Sequence, residues 1–549
     1  MDQLLVLLLA ATFVANTFGL LPSEIQVKTP YGELKGEERD HYLAFEGIPY
    51  AEPPVGDLRF EPPVPFKSNW KGVRDASKIG NGCLQWSHFV LDKDDRIVGD
   101  EDCLFLNIYT PKNISVATKI PVIVHIHGGA FMFGQGDIYG PKFVTTRALI
   151  HVNLNYRLGP FGYLSSSDAL IPGNMGMKDQ ATALKYIKEN IALFGGDPDK
   201  ITITGFSAGG ASVHLHYMSE WSKGLFNNGI SHSGTSLDCW VMQHNTDEKF
   251  DFVVQRTGCQ NEDRKKILEC LKKAPANDIA RLVGELQPYL YNPYNVFGVV
   301  PEPAAQDGIP FITDYPRNIL NSGNIQKVPW IITETKDEGL YPVAEFIRKP
   351  EYLPFIDKNW DLVAPNLLHY NRTIPDEKMH EVSELIRKHY MGDDPINEQT
   401  YKRFVDISSN RLFHIGADEA VKIQGKYMPV YMYYYTYKLS FGIGELFAGK
   451  RSELLGVSHG DDVLLAVSVD PAAHEMPEGE LRMQAAILDL YESYANTGVP
   501  KLGKFALVPS ESEDMVKYTE IAGPDDISIK TNDNFGDHKF WETIQFYEP

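Results

Sequence analysis

The chain has 549 residues, 43% hydrophobic and 23% charged, a globular composition that excludes collagen-like, low-complexity and disordered classes. Against 73 Asp and Glu stand 52 Lys and Arg, a net charge of −21; phosphate-backbone binders need clustered cations, so nucleic acid is excluded as a partner. The length admits several domains of about 100–200 residues or one large fold with insertions.

In chain order, the first feature is an apolar run from Leu4 to Val14, interrupted only by Thr12 and followed by small or polar residues. It is too short to span ~30 Å of hydrocarbon, which takes about 20 apolar residues, and it fits a secretory signal peptide over 1–19, although no Lys or Arg precedes it. No later run has the length of a membrane span, and the tail FWETIQFYEP has neither a GPI nor a KDEL-type signal. A secreted protein without a membrane anchor is expected, with residues 20–549 forming one domain, since no repeat and no Pro/Gly/Ser linker divides them. The sequons at Asn113 and Asn371 are candidate glycosylation sites. Five cysteines in an oxidising compartment imply two bridges and one thiol left over, with the connectivity open at this point.

Short β-branched runs predict strands at Pro121–His127 and Ala148–Tyr156. Met177, Ala181, Leu184, Ile187 and Ile191 recur at spacings of three and four, predicting a helix over Met177–Leu193 with one buried face. A strand at Lys200–Thr204 then meets a glycine cluster, and further strands are expected at Val328–Thr333 and Pro429–Tyr437. This rhythm is that of an α/β fold whose parallel or mixed sheet is covered on both faces.

The glycine cluster is Gly205-Phe206-Ser207-Ala208-Gly209. Such a sharp strand-to-helix turn exposes the central hydroxyl beside a helix N-terminus, the arrangement of the nucleophile elbow in α/β-hydrolases. By composition alone about a quarter of one Gly-x-Ser-x-Gly match is expected in a chain this long, so context has to support it. Upstream, His127-Gly128-Gly129-Ala130-Phe131 ends a predicted strand, and backbone N–H groups of Gly128 and Gly129, with that of Ala208, would form an oxyanion hole.

From these residues the chain resembles the type-B carboxylesterase family, the cholinesterase and carboxylesterase branch of the α/β-hydrolases. FGGDPDKITITGFSAG from Phe194 and Glu101-Asp102-Cys103-Leu104-Phe105-Leu106-Asn107 match its two signatures. PYAEPPVGDLRF from Pro49, NYRLGPFGYLS from Asn155, and Asn174-Met175-Gly176 with Asp179-Gln180 follow in the family's order, so the resemblance covers nearly the whole mature chain. It implies an α/β-hydrolase fold, with a central, mostly parallel twisted sheet flanked by helices on both faces. It also implies a triad of Ser207, Glu338 in Asp337-Glu338-Gly339, and His459 in Gly456-Val457-Ser458-His459. Ser233 would support the acid, Arg59 would pair with Glu101 and Arg157 with Asp179, and bridges Cys83–Cys103 and Cys259–Cys270 would leave Cys239 unpaired. No metal and no organic cofactor is needed; the expected partner is a small ester. GFSAGG with SGTSLDCW resembles insect secreted and venom-type carboxylesterases most.

The chain departs from cholinesterases in having Phe206 rather than an acid before the serine, and Trp86 as the sole tryptophan of a short first disulfide loop. A quaternary-ammonium pocket built on cation–π contacts is therefore not expected. Juvenile hormone esterases usually carry Gln at this position, so Phe206 counts against that substrate without excluding it. A non-catalytic, neuroligin-like recognition protein is disfavoured because Ser207, Glu338 and His459 are all present. Zinc on His125, His127 and His151 is conceivable, but His127 already belongs to the oxyanion loop. His214 and His216 read as packing residues, and His151 has no explanation in the sequence.

Overall fold

The computed structural model describes residues 25–90, 95–112, 114, 116–303, 308–511 and 514–548; the signal segment 1–19 and the sequon at Asn113 lie outside them. Its centre is an 11-stranded sheet. In chain order the strands are β1 (Glu37–Arg39), β2 (Tyr42–Pro49), β3 (Phe105–Pro111), β4 (Ile120–Ile126), β5 (Ile150–Leu154), β6 (Gly196–Phe206), β7 (Asn228–His232), β8 (Trp330–Thr335), β9 (Val430–Tyr435), β10 (Val516–Gly523) and β11 (Asp526–Asn532). They lie in the order β11-β10-β9-β8-β7-β6-β4-β5-β3-β2-β1. From β5 through β4 to β10 every neighbouring pair is parallel, and antiparallel strands close both edges.

Strands β4, β5, β7 and β8 are buried along their whole length, as parallel strands covered on both faces must be. Alternate residues feed two cores. Val122, Val124 and Ile126 join one with Ile332 and Met432, whereas Ile123 joins the other with Ile331 and Tyr433. Helices α1 (Met175–Asn190) and α2 (Ala208–His216) bury Leu184, Ile187, Ala211 and Leu215 in the first core. Helix α3 (Glu478–Thr497) buries Met483, Ile487 and Tyr491 in the second.

Helix α1 starts two residues before the predicted Met177, and its last predicted turn tightens into a 3-10 helix, Ile191–Phe194, that ends at Gly195 with φ +89°. Strand β6 is longer than predicted; its pairing with β4 is irregular between Gly196 and Ile201, and it runs into the glycine cluster.

Cys83 bonds to Cys103 and Cys259 to Cys270, with Cα atoms 4.9 and 5.5 Å apart. Arg59 ties the two loops together: its guanidinium meets both Glu101 oxygens at 2.6 Å and donates to the Leu271 and Ala274 carbonyls. Cys239 is a free thiol, pushed up to about 12 by burial, with its Sγ 3.6 Å from the Arg411 carbonyl oxygen. Asn371 is half-buried and donates its amide to Asn366, while Thr373 of the same sequon is buried.

Candidate active site

Ser207 stands between β6 and α2 with φ +60° and ψ −122°, a left-handed value that costs a non-glycine residue energy and clusters at functional sites. Its N–H donates to the His232 carbonyl at 2.8 Å and its carbonyl accepts from Ala211 at 2.9 Å, so the main chain holds the turn. A Cβ on Gly205 would lie 2.3 Å from Gly209, which is why the turn closes only with glycine there. Gly128, at the end of β4, packs so tightly that a Cβ would meet the Phe206 carbonyl at 2.5 Å and the Ser207 Cβ at 3.0 Å. Ala130 and Phe131 continue that loop with φ +53° and +60°. The loop carrying Gly128 and Gly129 is thus brought to the serine, where Ala208 opens α2 and its N–H has no intrahelical acceptor.

Glu338 and His459 are wholly buried, and Glu338 Oε2 accepts from His459 Nδ1 at 2.5 Å. The other oxygen, Oε1, accepts from the Ser233 hydroxyl and the Thr335 N–H, both at 2.6 Å. His459 Nε2 is shut off from solvent and has no hydrogen-bond partner among the described residues. The imidazole is packed by Phe206, Phe413 and Tyr341, with ring centroids 4.6, 4.5 and 5.4 Å away. Phe206 directly precedes Ser207 in the chain, so His459 packs against the residue next to the serine. Phe413 and Tyr341 carry no sequence signal, since each reaches the site only through tertiary packing.

Three aspartates hold the two loops in register. Asp337 donates its backbone N–H to the Val457 carbonyl at 2.9 Å and accepts the Val457 N–H on Oδ2 at 2.8 Å. Asp461 takes the N–H groups of Ser458 and Ile443, both at 2.8 Å. Asp462 accepts from His232 Nδ1, Tyr433 and Thr333. Burial pushes the Asp462 carboxyl up, but the His232 charge and these hydrogen bonds outweigh it and hold the group below its ordinary range. Glu334 is buried with no hydrogen-bond partner among the described residues, and burial followed by the Glu338 charge raises its carboxyl far above the usual value.

Burial pushes the Asp461 carboxyl up to about 7, while Lys438 and the two N–H donors pull the other way. Its folded value lies above the unfolded one of about 3.9. The native state therefore keeps a proton that the unfolded state releases, a stabilisation present below about pH 4 and lost as pH rises to about 7. Asp461→Asn is expected to remove this dependence: relative to the variant, the wild type loses up to about 1.4 kcal/mol per pH unit across that window. Urea unfolding of both proteins between pH 4 and 8 measures it, and parallel stability curves would contradict it.

The histidines weighed for zinc do not converge on one point. Their rings on His125 and His151 lie 6.4 Å apart, burial lowers all three, and no group of three or more candidate metal ligands occurs among the described residues. His151 is explained: its Nε2 bonds to the Tyr139 carbonyl at 3.0 Å. His214 stacks on Trp330 and bonds to Gln424, and His216 bonds to Ser222 and Gln180, so both pack the core. Arg157 meets both Asp179 oxygens at 2.7 Å in the buried layer beneath the loop. The Trp86 face that a cation would need is approached by Arg96, 5.8 Å from the ring centroid.

The carboxylesterase family model matches residues 23–541. Venom carboxylesterase-6 of Apis mellifera is 39% identical over 533 residues, covering 95% of both chains. A carboxylic ester hydrolase of Bombus ignitus is 39% identical over 534 residues, covering 95% of this chain and 94% of its own. Among solved structures, juvenile hormone esterase from Manduca sexta, with OTFP covalently attached, superposes with a TM-score of 0.81 over 95% of this chain and 99% of its own; at 23% identity this match shows the fold. With its mixed, mostly parallel sheet and its relatives along nearly the whole length, the chain belongs to the carboxylesterase family and is a carboxylic ester hydrolase of the α/β-hydrolase fold.

Proposed function

We propose that the chain is a secreted serine carboxylesterase for neutral esters, with residues 1–19 its signal peptide, residues 20–549 one α/β-hydrolase domain, and Asn113 and Asn371 glycosylation sites. His459 Nε2 takes the Ser207 proton; Ser207 Oγ attacks the ester carbonyl; the N–H groups of Gly128, Gly129 and Ala208 receive the oxyanion. Collapse of the tetrahedral intermediate expels the alcohol, which takes the proton from His459. Water, activated by the same imidazole, then releases the acid and restores Ser207.

The observation that carries this reading is the buried His459, clamped through Nδ1 by Glu338 with Nε2 left unpartnered. A neutral substrate is supported by Phe206, whose ring packs on His459 where a carboxylate would be needed to hold a cation. A juvenile hormone or pheromone ester is the second reading, favoured by the apolar Phe413 and Tyr341 rings around His459, while Phe206 itself counts against the hormone. The test is labelling with a diethyl phosphoryl probe and mapping the adduct, followed by turnover of short-chain aryl esters, juvenile hormone and acetylthiocholine. An adduct on Ser207 with aryl-ester turnover supports a general esterase, and preference for the hormone supports the second reading. Absence of any adduct on Ser207 would overturn both in favour of a recognition protein.

A further inference from the structure

The rings packed on His459 continue outward and close a circuit round Ser207. On one side the loop carrying Gly128 and Gly129 abuts the serine, and Phe133 is fixed to that loop: its N–H donates to the Gly129 carbonyl at 3.0 Å, and a Cβ on Gly129 would meet its ring at 3.1 Å. On the other side Tyr341 stacks on His459, and Phe447, on the helix Ile443–Ala448, packs on Tyr341 with centroids 5.0 Å apart. Phe89 touches both sides, 5.3 Å from the Phe133 centroid and 5.6 Å from that of Phe447. Tyr341 and His459 are buried, whereas Phe133, Phe447 and Phe89 are half-buried, so these three form the water-facing arc of the circuit. Ser207, inside it, is only 5% exposed. The position of Phe89 is set from behind. The preceding residue, His88, is buried; its Nε2 donates to Glu345 Oε1 at 3.1 Å and its ring stacks on Tyr291 at 5.0 Å. Glu345, on the 3-10 turn Ala344–Ile347, is also buried and follows Tyr341 by four residues. This hydrogen bond ties the segment that carries Phe89 to the segment that carries Tyr341.

We propose, on the serine-esterase reading above, that Phe89 is a specificity-determining residue: it spans the opening between Phe133 and Phe447 and limits the bulk of the ester that reaches Ser207, and the His88–Glu345 hydrogen bond holds it there. Three apolar rings at the opening suit a neutral ester, because a charged one would lose its hydration there without a partner. A small ester passes with little displacement of the rings. One that carries a second aromatic ring has to push Phe89 aside, at the cost of the Phe89 contacts with both neighbours. The buried Glu345 carboxylate resists that movement, since drawing His88 away leaves it without its donor.

The test compares 4-nitrophenyl acetate with 4-nitrophenyl 4-phenylbutanoate, which share a leaving group and differ in the bulk of the acid. Phe89→Ala is expected to raise the ratio of kcat/KM for the phenylbutanoate to that for the acetate by about tenfold, and Phe89→Trp to lower it by about tenfold. A purely structural role would move both esters together and leave the ratio alone. Glu345→Leu removes the acceptor of His88 and is expected to raise the ratio about threefold; the double variant with Phe89→Ala is expected to match Phe89→Ala, because the hydrogen bond acts only through the ring. Urea unfolding checks that each variant folds; if Phe89→Trp does not, Phe89→Ala and Glu345→Leu decide. An unchanged ratio in Phe89→Ala would overturn the role of Phe89, and additive effects in the double variant would overturn that of the hydrogen bond. A wild type that neither turns over the acetate nor takes the diethyl phosphoryl label on Ser207 would overturn the catalytic reading and this one with it. A labelled, active wild type whose Phe89 variants keep the ratio speaks against Phe89 alone.

Discussion

Replacing Ser207 with alanine is expected to lower kcat/KM for a short-chain aryl ester by about 10⁵-fold, because the attacking group disappears while the oxyanion donors and the binding surface remain. The fold is expected to be indifferent. The turn is held by the Ser207 N–H to His232 and the Ala211 N–H to the Ser207 carbonyl, and alanine keeps both. The left-handed φ of +60° is no harder for alanine than for serine. The urea midpoint should therefore move by no more than about 0.5 kcal/mol in stability terms. Steady-state kinetics on the purified variant, with unfolding measured in parallel, checks both halves. Near-wild-type turnover by a correctly folded variant would remove Ser207 from the mechanism.

Glu338→Gln is expected to lower kcat by about 10⁴-fold through a proton placed on the wrong nitrogen. The Oε1 position receives the Thr335 N–H, a donor that cannot turn round, together with the Ser233 hydroxyl. The glutamine oxygen must therefore occupy it, which points the amide NH₂ at His459 Nδ1. Facing a donor, Nδ1 has to give up its hydrogen, the neutral ring carries its proton on Nε2, and Nε2 is no longer a base for Ser207. Phosphorylation of Ser207 by the diethyl phosphoryl probe should slow in parallel with kcat, since both need the same proton transfer. A variant that keeps kcat but raises KM would show Glu338 to act in binding instead.

Much of the fold was legible because most of its central strands, buried on both faces, read as apolar, β-branched runs; β7, Asn228–His232, is as buried but carries Asn, Ser and His and was not found. Strands β4, β5, β6, β8 and β9 were all found this way, with ends displaced by up to a few residues. The edges were not. Tyr42–Pro49, Phe105–Pro111 and the hairpin Val516–Gly523 with Asp526–Asn532 mix polar with apolar residues, and nothing local distinguishes them from loops. The elbow around Ser207 announces itself because close backbone approach demands glycine at fixed spacing. Glu338 and His459 came only with the family motif, since one acid in a turn and one histidine among 16 carry no local signal.

By itself, then, the amino-acid sequence determined the α/β rhythm, the family and the strained turn on which Ser207 sits, all of them consequences of short-range pattern and of glycine sterics. The tertiary structure alone decided what surrounds those residues. It alone shows the Phe206, Phe413 and Tyr341 rings that cradle His459, the aspartates 337, 461 and 462 that fix its loop, and the buried Glu334, whose carboxyl is raised by burial and by the Glu338 charge. Each of these depends on burial and on contacts between segments distant in sequence. Desolvation and proximity set their chemistry, and neither can be read from residue order.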